Sequence, residues 1–344
     1  MLKSLKKQTP KEFFKMVVKE YSFILSLILL LVIATCVNPN FFSWTNITNL
    51  FVQSSMVGLI AMGMSMVISA GQIDISVGAQ LAIIGGFGIE VLNKTGSAVV
   101  MLLFCCAFGI VIGTINGLLV TKGHMPAMIA TLAMQSACRS IINHFGSGGP
   151  FTVDKALYDS FRQLAVGGIG FGRFKIPYLM IIFIAVTIVF HIIMKHTKLG
   201  KHIYAVGSNE TSARLAGINV TFIKTIIFTI TGLMCGLAAV IYASRMTAVA
   251  ASNAGLNFEM DAIAAVAIGG TAMSGGRGKI VGTFVGVLMF RIISNILTAA
   301  DVSTFLNGAI SAAIIVIAVL LQGFQTIKIK GGFQGRCPFL KRRQ

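Results

Sequence analysis

Carboxylates and amides set inside otherwise apolar stretches are the residues of this chain that could do chemistry. Asp74 stands in ISAGQIDISVGA (68–79) between Gln72 and Ser76, and Asp261 opens the apolar run DAIAAVAIGG. Asn116, Gln135, Asn295 and Asn307 fall within other apolar runs. Such groups are tolerated at membrane depth when they bond to a neighbouring helix or line a wet path. Two roles stay open for Asp74 and Asp261. Each can accept free N–H groups at a helix start, where the dipole favours negative charge, or each can line or gate a solute pathway. Arg139 and Arg245 fall where a guanidinium can snorkel to the interface. Arg291 lies deeper and needs a partner that the sequence does not name.

Other chemistries are excluded. GGRGK (275–279) lacks the spacing of a phosphate loop, and Lys279 is followed by Ile280 rather than Ser or Thr. There is no nucleophile elbow and no HExxH motif. The six cysteines form no CxxC pair or Cys/His cluster. The chain therefore reads as non-catalytic by itself, with no metal site and no cofactor of its own.

The elements that must position these residues are membrane helices. The chain has 344 residues, of which 56% are hydrophobic and only 11% charged, against roughly a quarter charged in a soluble domain. The short alternating segments of a β-barrel are absent. The expected fold is all-α and polytopic. Ten spans are placed near 21–37, 55–70, 76–92, 97–119, 126–143, 177–194, 222–243, 258–272, 280–298 and 305–324. The net charge of +18 is read as topology rather than nucleic-acid affinity. Most Lys and Arg residues fall in the first twenty residues, in 195–224 and in the tail, which places both termini and 195–224 in the cytoplasm. The chain then divides into a basic N-terminal segment (1–20), a transmembrane core (21–324) and a basic tail (325–344). Phe13, Phe14, Val17 and Val18 form an interfacial turn ahead of the first span.

Two spans are irregular. The run after Asp261 is too short to cross alone, and the second and third spans meet at GQIDISVG with almost no loop. Short or glycine-interrupted segments in both halves point to a substrate path. IGTINGLLV (112–120) echoes VGTFVGVLM (281–289), which suggests an inverted repeat. Gly109, Gly113 and Gly117, like Gly282 and Gly286, are spaced for close helix contact.

Two surface features complete the reading. The outer loop 144–176 carries an amphipathic helix over Asp154–Ala165, with Leu157, Phe161 and Leu164 on one face. Its polar residues Asp154, Lys155, Asp159 and Arg162 are candidates for docking a soluble partner. Phe41, Phe42 and Trp44 fit an outer aromatic belt. The basic loop 195–221 contains a short helix capped by Ser208 or Asn209, with Glu210 in its first turn, Arg214 in its last and Gly217 at C′. So short a helix needs a docking surface. With no energy source in the chain, a soluble ATPase is the partner this loop suits.

Three motifs, taken together, resemble the membrane subunit of bacterial ABC importers for simple sugars, the ribose, galactose, arabinose and xylose permease family. They are ISAGQIDISVGA (68–79), GKHIYAVGSNETSARLAGINV (200–220) and DAIAAVAIGGTAMSGGRGKIVGT (261–283); PAMIATLAM (126–134) resembles a fourth segment. The resemblance implies an inner-membrane permease with about ten helices, similar in fold to vitamin B12-type importers. It implies a periplasmic sugar-binding protein, a cytoplasmic ATPase that uses ATP and Mg²⁺, and a second permease chain, identical or paralogous. The segment matching Ser208, Asn209, Glu210, Ala213, Arg214, Leu215 and Gly217 would be the coupling helix. Gln72 and Met128 stand where the family often has Gly and Phe, and Ala133 where it often has Gly. A furanosyl signalling molecule or a branched-chain amino acid is an alternative cargo, and an ion-coupled secondary transporter an alternative class.

Overall fold

The computed structural model describes residues 22–300, Arg173 excepted, together with Leu306, Ala309, Ala313 and Val316. The basic N-terminal segment, the interfacial turn at 13–18, Asn307, the tail and most of the tenth expected span lie outside the described residues.

The chain is mainly helical, in the order α1 (Ser22–Val37), α2 (Trp44–Ser69), α3 (Val77–Thr95), α4 (Ala98–Thr121), α5 (Ala127–Phe145), β1 (Pro150–Thr152), α6 (Tyr158–Val166), β2 (Gly168–Phe171), β3 (Phe174–Pro177), α7 (Tyr178–His196), α8 (Lys198–Ser208), α9 (Glu210–Leu215), α10 (Val220–Met246), β4 (Ala248–Ala250), α11 (Phe258–Ile268) and α12 (Ile280–Ala299). Among the described residues, α2, α4, α7, α10 and α12 are long and apolar enough to cross a bilayer. The expected helix at 55–70 begins eleven residues earlier, at Trp44, because Ser43 accepts from the Asn46 N–H and starts it. The expected span at 258–272 is the 11-residue α11, roughly 16 Å long at 1.5 Å per residue. It reaches about halfway through a bilayer.

The polarity is inside out relative to a soluble protein. Ile188, Val189 and Ile192 of α7 and Leu103, Val111 and Ile115 of α4 are exposed, whereas Asp74, Ser76, Gln80 and Asn116 are fully buried. Apolar surface of this extent suits lipid. Helix α2 is the most enclosed of the long helices, with 89% of its most apolar stretch buried. Helix α10 packs most extensively against α4, and the reason is glycine. A Cβ at Gly109, Gly113 or Gly232 would collide with the backbone of the facing helix, so the two axes approach more closely than any larger residue permits. Gly282 and Gly286 do the same for α12 against α11 at Gly269 and Ala265. Both echoing segments thus serve as helix contacts.

Helices α7 and α10 define two ends of the bundle. One end carries two small antiparallel sheets that the all-α expectation missed. There β1 pairs with β4 in the register Phe151↔Val249, and β2 pairs with β3 in the register Ile169↔Ile176. These strands are three or four residues long and read in the sequence as loop. Helix α6 lies at this end and begins at Tyr158 rather than at the expected Asp154; Phe161 is buried, and Leu164, with Leu157 just ahead of the helix, packs on the core, the apolar face expected there. The opposite end carries α8 and α9. The aromatic expectation needs one correction. Phe42 and Trp44 are exposed, but Phe41 is buried in a small cluster with Ala34, Leu50 and Ile292.

Candidate functional site: a buried polar seam and a surface helix pair

The chain breaks helix twice inside the bundle. Residues 70–76 separate α2 from α3, and residues 251–257 lead from β4 into α11. The second break packs against the first turn of α3, where Gly78 meets Gly255. A Cβ on Gly78 would strike the Gly255 carbonyl and the Glu259 carboxylate, and Gly255 itself has φ +66°. Irregular backbone at membrane depth must find its hydrogen-bond partners within the protein. The Ile75 N–H donates to Thr131 Oγ1 at 3.2 Å. One Arg139 nitrogen donates to the carbonyls of Ala251 and Ala254, at 3.0 and 2.9 Å. Arg139 is therefore turned inward as a staple on the second break rather than snorkelling outward.

Asp74 is the hub of the first break. Its Oδ1 accepts the Ser76 N–H at 2.9 Å and the Ser76 hydroxyl, and its Oδ2 faces the Gln80 amide at 3.4 Å. Ser76 Oγ in turn accepts from the amides of Gln80 and Asn116, at 2.8 and 2.9 Å. Every donor in this knot points toward the carboxylate or toward the hydroxyl that serves it. The Asp74 carboxylate closes a turn one residue ahead of α3 instead of capping its first N–H groups. The carbonyl oxygens of Gln80 and Asn116 are buried and carry no hydrogen bond among the described residues.

Asp261 does not cap α11. Asn257 holds that position, at φ +65° and with no side-chain bond, and Asp261 falls within the first turn. Its Oδ2 lies 3.8 Å from Arg291 of α12, which supplies the partner that Arg291 required. Asn295 donates to Asn46 Oδ1 at 3.2 Å, tying α12 to the start of α2. Gln135 is half-buried on α5. Gln72 lies apart from the knot, in a cavity of about 370 Å³ beside α9. Asp74, Ser76 and Asn116 are thus brought together, while Gln72, Gln135, Asp261 and Asn295 are not joined to them. Gln80, Arg139 and Glu259 are further members of the seam; the sequence reading passed over Gln80 and Glu259 and placed Arg139 at the interface. Glu259 is 6% exposed and within electrostatic reach of Arg139. The only signal in the sequence was a second acid two residues before Asp261.

At the other site, α8 and α9 form a bent pair. Asn209 caps α9 by accepting the Ser212 N–H at 2.8 Å. Ser208 is instead the last residue of α8. Gly217 adopts φ +79°, and the N–H groups of Gly217 and Ile218 close the helix end on Arg214 and Ala213. Glu210 meets Arg214 at 3.2 Å and Lys224 of α10 at 2.7 Å. The hydrogen bond from Lys224, reinforced by both positive charges, holds its carboxyl below the usual range. Ala213 is the buried residue of α9, whereas Leu215 is 85% exposed. Helix α8 is anchored more firmly. Gly207 packs on the Ser69 carbonyl, the Gly276 N–H donates to that same carbonyl at 2.9 Å, and Tyr204 donates to the Gly278 carbonyl at 2.9 Å. GGRGK is therefore the strap between α11 and α12 that binds α8 to the end of α2. Burial pushes the Tyr204 phenol up, so it stays a proton donor.

At the sheet-bearing end, Asp154, Lys155, Asp159 and Arg162 are all exposed. The Asp154 N–H donates to Asn93 on α3, and the Arg162 guanidinium lies over the Tyr158 ring. Among the described residues no cluster of three or more potential metal ligands occurs.

Discontinuous helices that meet at buried polar residues inside an apolar-surfaced bundle are the construction of a multi-pass membrane permease. Comparison with known proteins places the chain further. Residues 46–319 match the family model described as branched-chain amino acid transport system / permease component, and the chain belongs to that family. It is 36% identical to the ribose import permease protein RbsC of Escherichia coli (strain K12) over 311 residues, covering 88% of this chain and 93% of that protein. Identity to RbsC of Bacillus subtilis (strain 168) is 38% over 298 residues, covering 86% and 90%. The galactose/methyl galactoside import permease protein MglC of Escherichia coli (strain K12) is 28% identical over 335 residues, covering 93% and 98%.

Proposed function

We propose that the chain is the permease subunit of an ATP-driven importer that carries a monosaccharide across the bacterial inner membrane. A periplasmic sugar-binding protein delivers the sugar at the end carrying α6. A separate cytoplasmic ATPase, which binds ATP and Mg²⁺, docks on α9, and a second permease chain completes the pathway. Both termini face the cytoplasm, ten spans cross the bilayer, and the fold follows the vitamin B12-type plan. The likeness to ribose and galactose permeases over most of the chain supports the cargo class.

The observation that carries the coupling role is α9 itself. A helix of six residues is not stable alone in water, yet this one is capped at both ends and presents Leu215 almost wholly to solvent. A pre-formed helix that shows an apolar side chain to solvent is the shape that a partner's groove receives. The candidate coupling residues Ser208, Asn209, Glu210, Ala213, Arg214, Leu215 and Gly217 all lie on or beside it. Asp74, Ser76, Asn116 and Gln80 form the seam along which the two packings of the bundle differ.

Proteoliposomes holding the permease, its ATPase and its binding protein test the reading. Uptake of radiolabelled ribose or galactose that requires ATP and ignores uncouplers is the expected result. Uptake abolished by an uncoupler would replace this reading with ion-coupled transport. Because the family model is described by branched-chain amino acid transport, competition by leucine in place of both sugars would move the cargo to amino acids.

A further inference from the structure

We infer that Lys224 is a positioning residue for coupling. It locks the first turn of α9 to α10, so that the surface helix and the long helix move as one body. The inference rests on the reading of α9 as the ATPase contact.

The chain joins α9 to α10 through residues 216–219, a turn containing Gly217 at φ +79°, and to α8 through Asn209, whose backbone is extended. A short body held at its two ends still rolls about the line between them. Ala213 adds one buried methyl group, which is too little to prevent the roll. The lateral attachment to α10 is the Glu210–Lys224 pair. Lys224 Nζ meets Glu210 Oε2 at 2.7 Å, and the lysine side chain is only 13% exposed. Arg214, the other cation on Glu210, is 71% exposed and Glu210 itself 43%, so the Lys224 contact is the better shielded of the two. Beside the pair lies the 370 Å³ cavity that Gln72 and His124 also line. It is space into which an unlocked α9 could swing without moving α10.

With the lock in place, a push on α9 reaches α10. Helix α10 meets α4 at Gly232 and Gly113 with backbone nearly touching backbone. Helix α4 carries Asn116, which is bonded into the Asp74 knot. Lys224 therefore stands at the first joint of a continuous packed route from the surface helix to the helix break.

The test uses the assembled transporter in proteoliposomes, with radiolabelled ribose and galactose as probes. For Lys224→Met we expect normal ATPase co-purification and continued ATP hydrolysis, with sugar carried per ATP hydrolysed reduced about tenfold, within the usual span of coupling between sites. Lys224→Arg keeps charge and reach and should stay near wild type. The exchange Glu210→Lys with Lys224→Glu should recover much of the lost coupling. Undiminished sugar per ATP in Lys224→Met would overturn the inference. So would loss of ATPase association in that variant, which would make Lys224 a docking residue. A Lys224→Met chain that fails to insert and is not rescued by the exchange would make the pair merely structural, and would likewise overturn it. Failure of the wild type itself to bind an ATPase or to take up either sugar would instead sink the functional reading beneath.

Discussion

Asp74 receives two hydrogen bonds from Ser76 and faces the Gln80 amide in a fully buried pocket. Removing a buried acceptor leaves its donors unpaired, at about 1–3 kcal/mol for each orphaned group. Asp74→Ala should therefore lower the unfolding temperature in detergent and reduce uptake, whereas Asp74→Asn, which keeps an acceptor oxygen, should lose less. Equal stability of both variants and wild type would remove Asp74 from the centre of the seam. Asn209 is a second single-residue lever. Its cap is worth about 1 kcal/mol, a large share for so short a helix. Asn209→Ala should weaken ATPase association, and Asn209→Asp should preserve it. Glu210 sets the pH response. Its carboxyl is held below its ordinary range, so the stabilisation it gives is complete above the unfolded carboxylate range and is lost only as pH falls through the depressed one. Uptake should be flat across neutral cytoplasmic-side pH. A steep change there, read in vesicles of defined internal pH, would show that this pair does not govern coupling.

Helix pairs set the next scale. The α4–α10 contact depends on missing side chains, and a side chain at Gly232 would have to displace the backbone of Gly109 and Gly113. Overpacking of this kind costs about 1–3 kcal/mol. Gly232→Val is expected to destabilise the bundle by that amount in thermal unfolding. Gly170→Ala, where nothing lies within 4 Å, should be neutral. The glycine spacing announced this contact in the sequence, but not the partner helix. The echo between 112–120 and 281–289 named two stripes, and only packing showed that one faces α10 and the other α11. The strands were hidden for another reason. Three residues carry too little alternation to register, and β1 pairs with β4 across nearly a hundred residues of chain.

At the scale of the whole molecule, the surface helix pair and the buried seam communicate through rigid contacts. Helix α8 reaches α2 through Gly207, which packs on the Ser69 carbonyl and the Gly276 N–H. Gly207→Val should separate α8 from the glycine strap, and most ATP-dependent uptake should be lost although the chain still inserts. Leu215→Glu acts at the surface instead and should abolish ATPase co-purification with no change in unfolding temperature. Normal transport in both variants would disconnect these helices from the transport cycle. Coupling of this sort needs two discrete packings of the same contacts, and the glycine-lined joints are where sliding requires no repacking of side chains.

The amino-acid sequence by itself determined the class of molecule, most helix boundaries, the C-terminal cap of α9 with two candidates for its N-terminal one, and the family. These depend on local composition, on spacing along one chain and on motifs read in order. Tertiary structure alone decided that Asp261 answers Arg291, that Arg139 turns inward, that Gln80 and Glu259 belong to the seam, and that GGRGK is a strap for α8. Each of these joins residues far apart in sequence, in a medium where a buried polar group must find its partner in the protein. Several partners were chemically possible for each, and only the packing of the bundle chose among them.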